Sequence, residues 1–188
     1  LLDDKDMQSR AKRYIDSIIS RQNDDGWLCP CSFDERGDYD IWGLFIILKA
    51  LVVWQECSND ERIEEVIYRA LKNAVRHIQG HTIFCWGASR WYECLIPIKW
   101  LYKRRKENWL IDLAKTLKLT GFDITTNNPY MFKRNTEWNY YGHVVNVAMS
   151  LKGDALYNDL VKGKCDGKSA KKLLKVLDKK HGTAIGHF

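Results

Sequence analysis

Residues 40–57 read DIWGLFIILKALVVWQEC, residues 61–79 read ERIEEVIYRALKNAVRHIQ, and only the turn-forming SND at 58–60 separates them. The first stretch is nearly all apolar, the pattern of a helix buried on most sides. The second is amphipathic. Ile63, Val66, Ile67, Ala70, Leu71, Ala74 and Ile78 recur at helical spacing and share one face. The intervening Ser-Asn-Asp offers the second helix an N-cap. A buried helix, a short turn and an outer helix make an α-hairpin.

The pattern repeats downstream. SRWYECLIPIKWLYKRR (89–105) is apolar-rich, and the more amphipathic ENWLIDLAKTLKLTG (107–121) follows almost without a loop. GHVVNVAMSLKG (142–153) is apolar again, before DALYNDLVKG (154–163) and SAKKLLKVLDKK (169–180). Upstream, MQSRAKRYIDSIISRQ (7–22) sets Ala11, Tyr14, Ile15, Ile18 and Ile19 on one face, and residues 24–39 read as a long loop. No strand period is present. The expected fold is all-α: one domain over 1–188 of stacked helical hairpins, an incomplete six-hairpin α/α toroid. Inner helices are expected near 40–57, 89–103 and 142–152. In such a ring the inner helices line a central cavity, and loops at one end form the site. Incomplete closure would leave apolar helix faces exposed and favour self-association.

Composition narrows the function classes. No window reaches the roughly 20 apolar residues of a membrane span, so no membrane partner is expected. The net charge of +6 is concentrated in KWLYKRRKENW and KGKCDGKSAKKLLKVLDKK. Such runs suit nucleic acid or the solvated face of a helix. The second is expected, because Leu173, Leu174 and Leu177 form one apolar stripe that leaves the lysines outside. The six cysteines, 29, 31, 57, 85, 94 and 165, contain no C-x-x-C pair, and the CPC spacing is poor for zinc. Scattered thiols in a helical chain suggest a reducing cytoplasm and no metal held by this chain.

The functional signal lies in the aromatic loops. Trp27, Trp42, Trp86, Trp91 and Trp138 fall in long loops or at the first turns of inner helices. Around them stand Gln22, Asp24, Asp25, Asp38, Asp40, Arg90, Glu93, Glu137 and His143. Aromatic faces beside carboxylate, amide and guanidinium suit a sugar, with its apolar C–H faces and rim of hydroxyls. Single tryptophans of this kind also pack hairpin to hairpin. His143 opens an apolar helix after Gly142, with Asn146 one turn along the same face; such a histidine either lines a site or packs in the core. The closing HGTAIGHF adds His181, with glycines that allow a sharp turn or the close approach of a ligand. RQNDDGWL (21–28) resembles the Q-x-x-x-G-W loop of terpene cyclases and other toroids, which implies that Gln22 caps a helix end under Trp27. The D-x-D-D motif of the cyclases is absent.

Taken in order, QNDDGWL, YDIWGLFIILKAL, WGASRWYECLIPIKWLYKRRKENWLIDLAKTL, GHVVNVAMSLKGDALYNDL and HGTAIGHF resemble glycoside hydrolase family 127, the β-L-arabinofuranosidase-like group of bacterial proteins. The resemblance implies a toroid followed by β-sandwich domains. It also implies a retaining hydrolase with a glutamic acid as acid/base and a zinc-held cysteine nucleophile. His143 matches a substrate-contacting histidine. Trp86, Arg90 and Glu93 match a segment facing the cavity. Trp42 and Gly43 match an inner-helix start, where the arabinofuranosidases place a histidine and this chain has Leu44. The family's acid/base Glu and Glu-x-Cys ligands follow the loop resembling HGTAIGHF, and no cysteine of this chain maps to them. The chain is therefore expected to be an internal fragment, a sugar-facing half-site inactive alone, with zinc implied only for the full-length protein. The expected substrate-binding residues are Trp42, Trp86, Arg90, Glu93, His143, Asn146 and His181, with a carbohydrate as partner, no catalytic residue and no metal ligand. The alternative is a non-catalytic helical-repeat module that binds carbohydrate or protein. A toroidal cyclase or sugar epimerase is a weaker option.

Overall fold

The computed structural model describes residues 3–124, 132–133, 143–165 and 167–182. Among these residues the ordered structure is helical, with no β-strand. Helix α1 spans Lys5–Ser20, α2 Trp42–Ser58, α3 Arg62–Gly80, α4 Cys85–Ser89, α5 Leu95–Arg105 and α6 Asn108–Thr120. Beyond these lie α7 at Val144–Ser150, α8 at Gly153–Lys162 and α9 at Lys168–His181. Short 3-10 turns cover Arg36–Asp38 and Trp91–Cys94. No helix among the described residues is long and apolar enough to cross a membrane.

Each boundary has a local cause. Asp4 caps α1 by accepting the Met7 N–H at 3.1 Å. Asn59 ends α2 in the left-handed conformation, φ 56°, and its N–H returns to the Gln55 carbonyl. Asp60 accepts the Arg62 N–H and the Trp54 indole N–H, joining the end of α2 to the start of α3. The helix expected to begin at residue 89 instead begins at Leu95, after the 3-10 turn. Pro97 is the reason. Inside a longer α-helix its ring would clash with the carbonyl four residues earlier, whereas in a first turn its missing N–H costs nothing.

α5 is central, packing on α2, α3, α6 and α8, while α2 and α3 pack on each other. Phe45, Leu48, Leu51, Ile63, Ile67, Leu71, Leu95, Ile98, Leu101, Leu110 and Leu117 are fully buried there. All seven residues of the α3 stripe are buried. α2 differs from expectation: Ile46 and Val53 are 43 % and 60 % exposed, so its outer side is apolar and uncovered. Tyr14 and Leu174 also leave their expected stripes, at 73 % and 50 % exposed. In both helices the neighbour covers a narrower arc than the sequence pattern offers.

The first basic run is divided, with Lys103, Arg104 and Lys106 exposed to solvent and Arg105 half-buried. Arg105 pairs with Glu64 and Glu65 at 2.8 Å each, and Arg104 lies over Trp100. The lysines at 168, 171, 172, 175 and 179 of α9 are solvent-exposed, around buried Leu177. All six cysteines are free thiols. Burial pushes the Cys29 thiol up to about 12 and raises that of Cys94 further.

The loop at 22–28 is held from α3. Arg69, Asn73 and Arg76 donate to the carbonyls of Asn23, Asp24 and Asp25. Gln22 does not cap a helix end; its amide donates to the carbonyls of Gly26 and of Val66, well inside α3. Trp27 is buried against Tyr39, His77 and the Arg36 guanidinium, and Arg36 is paired to Asp25. Gly26 sits at φ +95°, where a Cβ would lie 2.3 Å from the Arg69 carbonyl oxygen. Gly26→Ala is expected to cost about 2–4 kcal/mol of stability, from the left-handed strain plus forced withdrawal of α3. A thermal melt within 2 °C of the parent, about the shift of a small stability change, would show that the loop yields instead.

Candidate functional site

The site is assembled around Asp40. Its Oδ1 accepts the N–H groups of Trp42 at 3.0 Å and Gly87 at 2.9 Å, and its Oδ2 accepts that of Trp86 at 2.9 Å. One carboxylate thus serves the first turns of both α2 and α4, whose amides lack partners within their own helices. A Cβ on Gly87 would lie 2.9 Å from the Asp40 oxygen, so α4 can come this close only with glycine there. Trp42 and Trp86, far apart in sequence, are thereby brought to one place.

Arg90 lies between them. Its guanidinium carbon stands 4.8 Å from the Trp42 ring centre and 4.6 Å from that of Trp86. Its Nε donates to the Asn146 Oδ1 at 2.8 Å. The Trp86 ring meets His143 edge-on, with centres 5.6 Å apart. Asn146 is fixed from behind by Tyr92, whose hydroxyl donates to the Asn146 carbonyl at 3.2 Å. Trp86 is 44 % exposed, and His143 is exposed at the start of α7, which excludes a core position for that ring. Five of the seven residues expected at a site therefore converge: Trp42, Trp86, Arg90, His143 and Asn146.

Glu93 does not join them. It is fully buried, with Lys49 donating to Oε2 at 2.5 Å and the Lys152 ammonium beside Oε1. The Lys152 contact is an ion pair without hydrogen-bond alignment at Oε1. A carboxylate with no solvent access and both oxygens engaged cannot meet a ligand. Its position on the 3-10 turn, rather than on the α-helix expected there, turns it inward. His181 stands in the last turn of α9. Glu137, Trp138, Gly142 and the closing residues 183–188 lie outside the described residues.

A separate cavity of about 400 Å³ opens on the other side of Tyr92, between Trp91, Phe122, Leu151, Leu173 and Val176. It borders none of the five clustered residues. Lys118 and Asp154, paired across its edge, supply much of its polar character. The cluster is the better candidate, because its polar side chains are oriented by one another around exposed aromatic rings, whereas Lys118 and Asp154 at the cavity's edge are already paired to each other.

Asp40 stood among the polar residues flanking the tryptophans in the sequence, but its bridging role did not show there. Lys49 carried a usable signal. It is the sole charged residue in the apolar run 41–54, and a charge in such surroundings needs a partner. Among the described residues no three His, Cys, Asp or Glu side chains come together in a way that could hold a metal ion. No protein-family model, curated protein or solved structure matches this chain.

Proposed function

We propose that this chain is the carbohydrate-facing part of an α/α-toroid protein of the glycoside hydrolase family 127 type, and that the Trp42–Arg90–Trp86–His143–Asn146 cluster binds sugar. The convergence of these five side chains, from three separate helical segments, carries the reading. Exposed aromatic edges, an amide and a guanidinium in fixed positions suit a ring of hydroxyls. The cluster binds and orients rather than cleaves. Glycoside hydrolysis ordinarily needs two carboxyl groups, or a nucleophile and an acid, flanking the scissile bond. The carboxylates of Asp40 and Glu93 are already committed to backbone amides and to lysines.

His143→Ala tests the assignment. Glycan affinity is expected to fall by about tenfold to a hundredfold, the scale of one or two well-placed polar contacts, with about 1 kcal/mol lost in stability. Unchanged affinity with a collapsed melt would overturn it.

A second reading, a helical-repeat module that binds protein, is favoured by the exposed apolar side of α2 at Ile46 and Val53. Sugar binding that is lost on substitution in the cluster and kept in Val53→Glu decides for the first.

A further inference from the structure

We infer that the cluster takes an acidic sugar, with Arg90 receiving the carboxylate of a uronate residue. This rests on the carbohydrate reading above and adds the charge of the ligand. Arg90 is half-buried, and among the described residues it has no ion pair. Its Nε is spent on Asn146, and its guanidinium carbon lies 4.8 and 4.6 Å from the ring centres of Trp42 and Trp86. Among the described residues its terminal amino groups, Nη1 and Nη2, meet no acceptor. The two carboxylates built into this region do not balance it: Asp40 is turned onto three backbone amides, and Glu93 is held by two lysines. Among the described residues one positive charge of the cluster is left over, that of Arg90.

Most of the remaining polar groups are donors as well, and His143 adds an imidazole that can both donate and accept. The Asn146 oxygen is occupied by Arg90, which leaves its NH₂ group, and the indole of Trp86 can offer only N–H. A site made mainly of donors favours a ligand rich in acceptors. A guanidinium held near two indoles and by Asn146 has little freedom left to lose, and its fork matches a planar carboxylate in bidentate fashion. A single fixed cation balances a monoanion. A phosphate dianion would need further positive charge, and Lys49 and Lys152, which hold the neighbouring Glu93, are already paired.

The test uses the whole chain on an array of uronate-containing glycans, each printed beside its methyl ester. The ester keeps the sugar, linkage and shape and removes the charge. Binding to the acid forms is expected to exceed binding to the esters by about tenfold to a hundredfold, the scale of a charge-assisted bidentate contact. Arg90→Gln is expected to abolish that preference, and Arg90→Lys to retain part of it. Equal binding to acid and ester would overturn the carboxylate assignment and leave the sugar-binding proposal standing. Binding confined to sulfated or phosphorylated glycans would overturn it in the same way. No binding to any glycan would overturn both. The acid-to-ester comparison is made on the unmodified protein, so it stands even where an Arg90 variant fails to fold.

Discussion

Replacing both lysines that hold Glu93, as in Lys49→Met with Lys152→Met, is expected to remove about 3–5 kcal/mol of stability, a large share of what a domain of this size has. Glu93 has no solvent access, whereas the side chains of Lys49 and Lys152 are 30 % and 42 % exposed. Removing the lysines strands a carboxylate in the core, where an unpaired charge pays its full desolvation cost. The reverse change, Glu93→Leu, is expected to cost less, because two partly exposed ammonium groups can turn to water and the leucine fills the space. The asymmetry is the informative part. Urea unfolding of the two variants should place the double-lysine protein well below Glu93→Leu. Equal midpoints, or a double-lysine variant within about 1 kcal/mol of the parent, the scale of an exposed pair, would show that the triad holds little of the fold. These contacts fasten the 3-10 turn to α2 and to the turn before α8, so their loss should also release the segment that carries His143 and Asn146.

Asp40→Ala is expected to cost about 2–4 kcal/mol and to weaken sugar binding with it. Three backbone N–H groups lose their acceptor at once, at the starts of two helices. The link that brings Trp42 and Trp86 to either side of Arg90 goes with them. Asp40→Asn keeps one acceptor oxygen and turns an NH₂ toward the remaining donors, so an intermediate loss is expected. Melts and glycan titrations on the two variants should move together. An Asp40→Ala protein that melts as the parent does but no longer binds would mean that Asp40 meets the ligand itself and is not the brace described above.

What the residues determined by themselves was local. An amphipathic pattern carries its own label for inside and outside, so the α3 stripe from Ile63 to Ile78 was legible and is buried throughout. Turn chemistry was legible in part: the short turn at 58–60 does separate α2 from α3, but the N-cap position falls on Glu61, which makes no side-chain cap bond, and the left-handed Asn59 was not read from the sequence. The candidate site was partly legible, because tryptophan, arginine, histidine and asparagine are conspicuous at the starts of apolar helices. Tertiary structure decided the rest. An all-apolar helix such as α2 has no polar face to mark its outer side, so only its neighbours determine that Phe45 is buried and Val53 is not. Glu93 and Arg90 sit three residues apart and look alike as candidates. One is taken into the core by lysines distant in sequence, and the other keeps terminal amino groups that meet no acceptor among the described residues. A side chain's charge can be read from its identity, but whether that charge is already spent depends on partners that only the folded chain brings within reach.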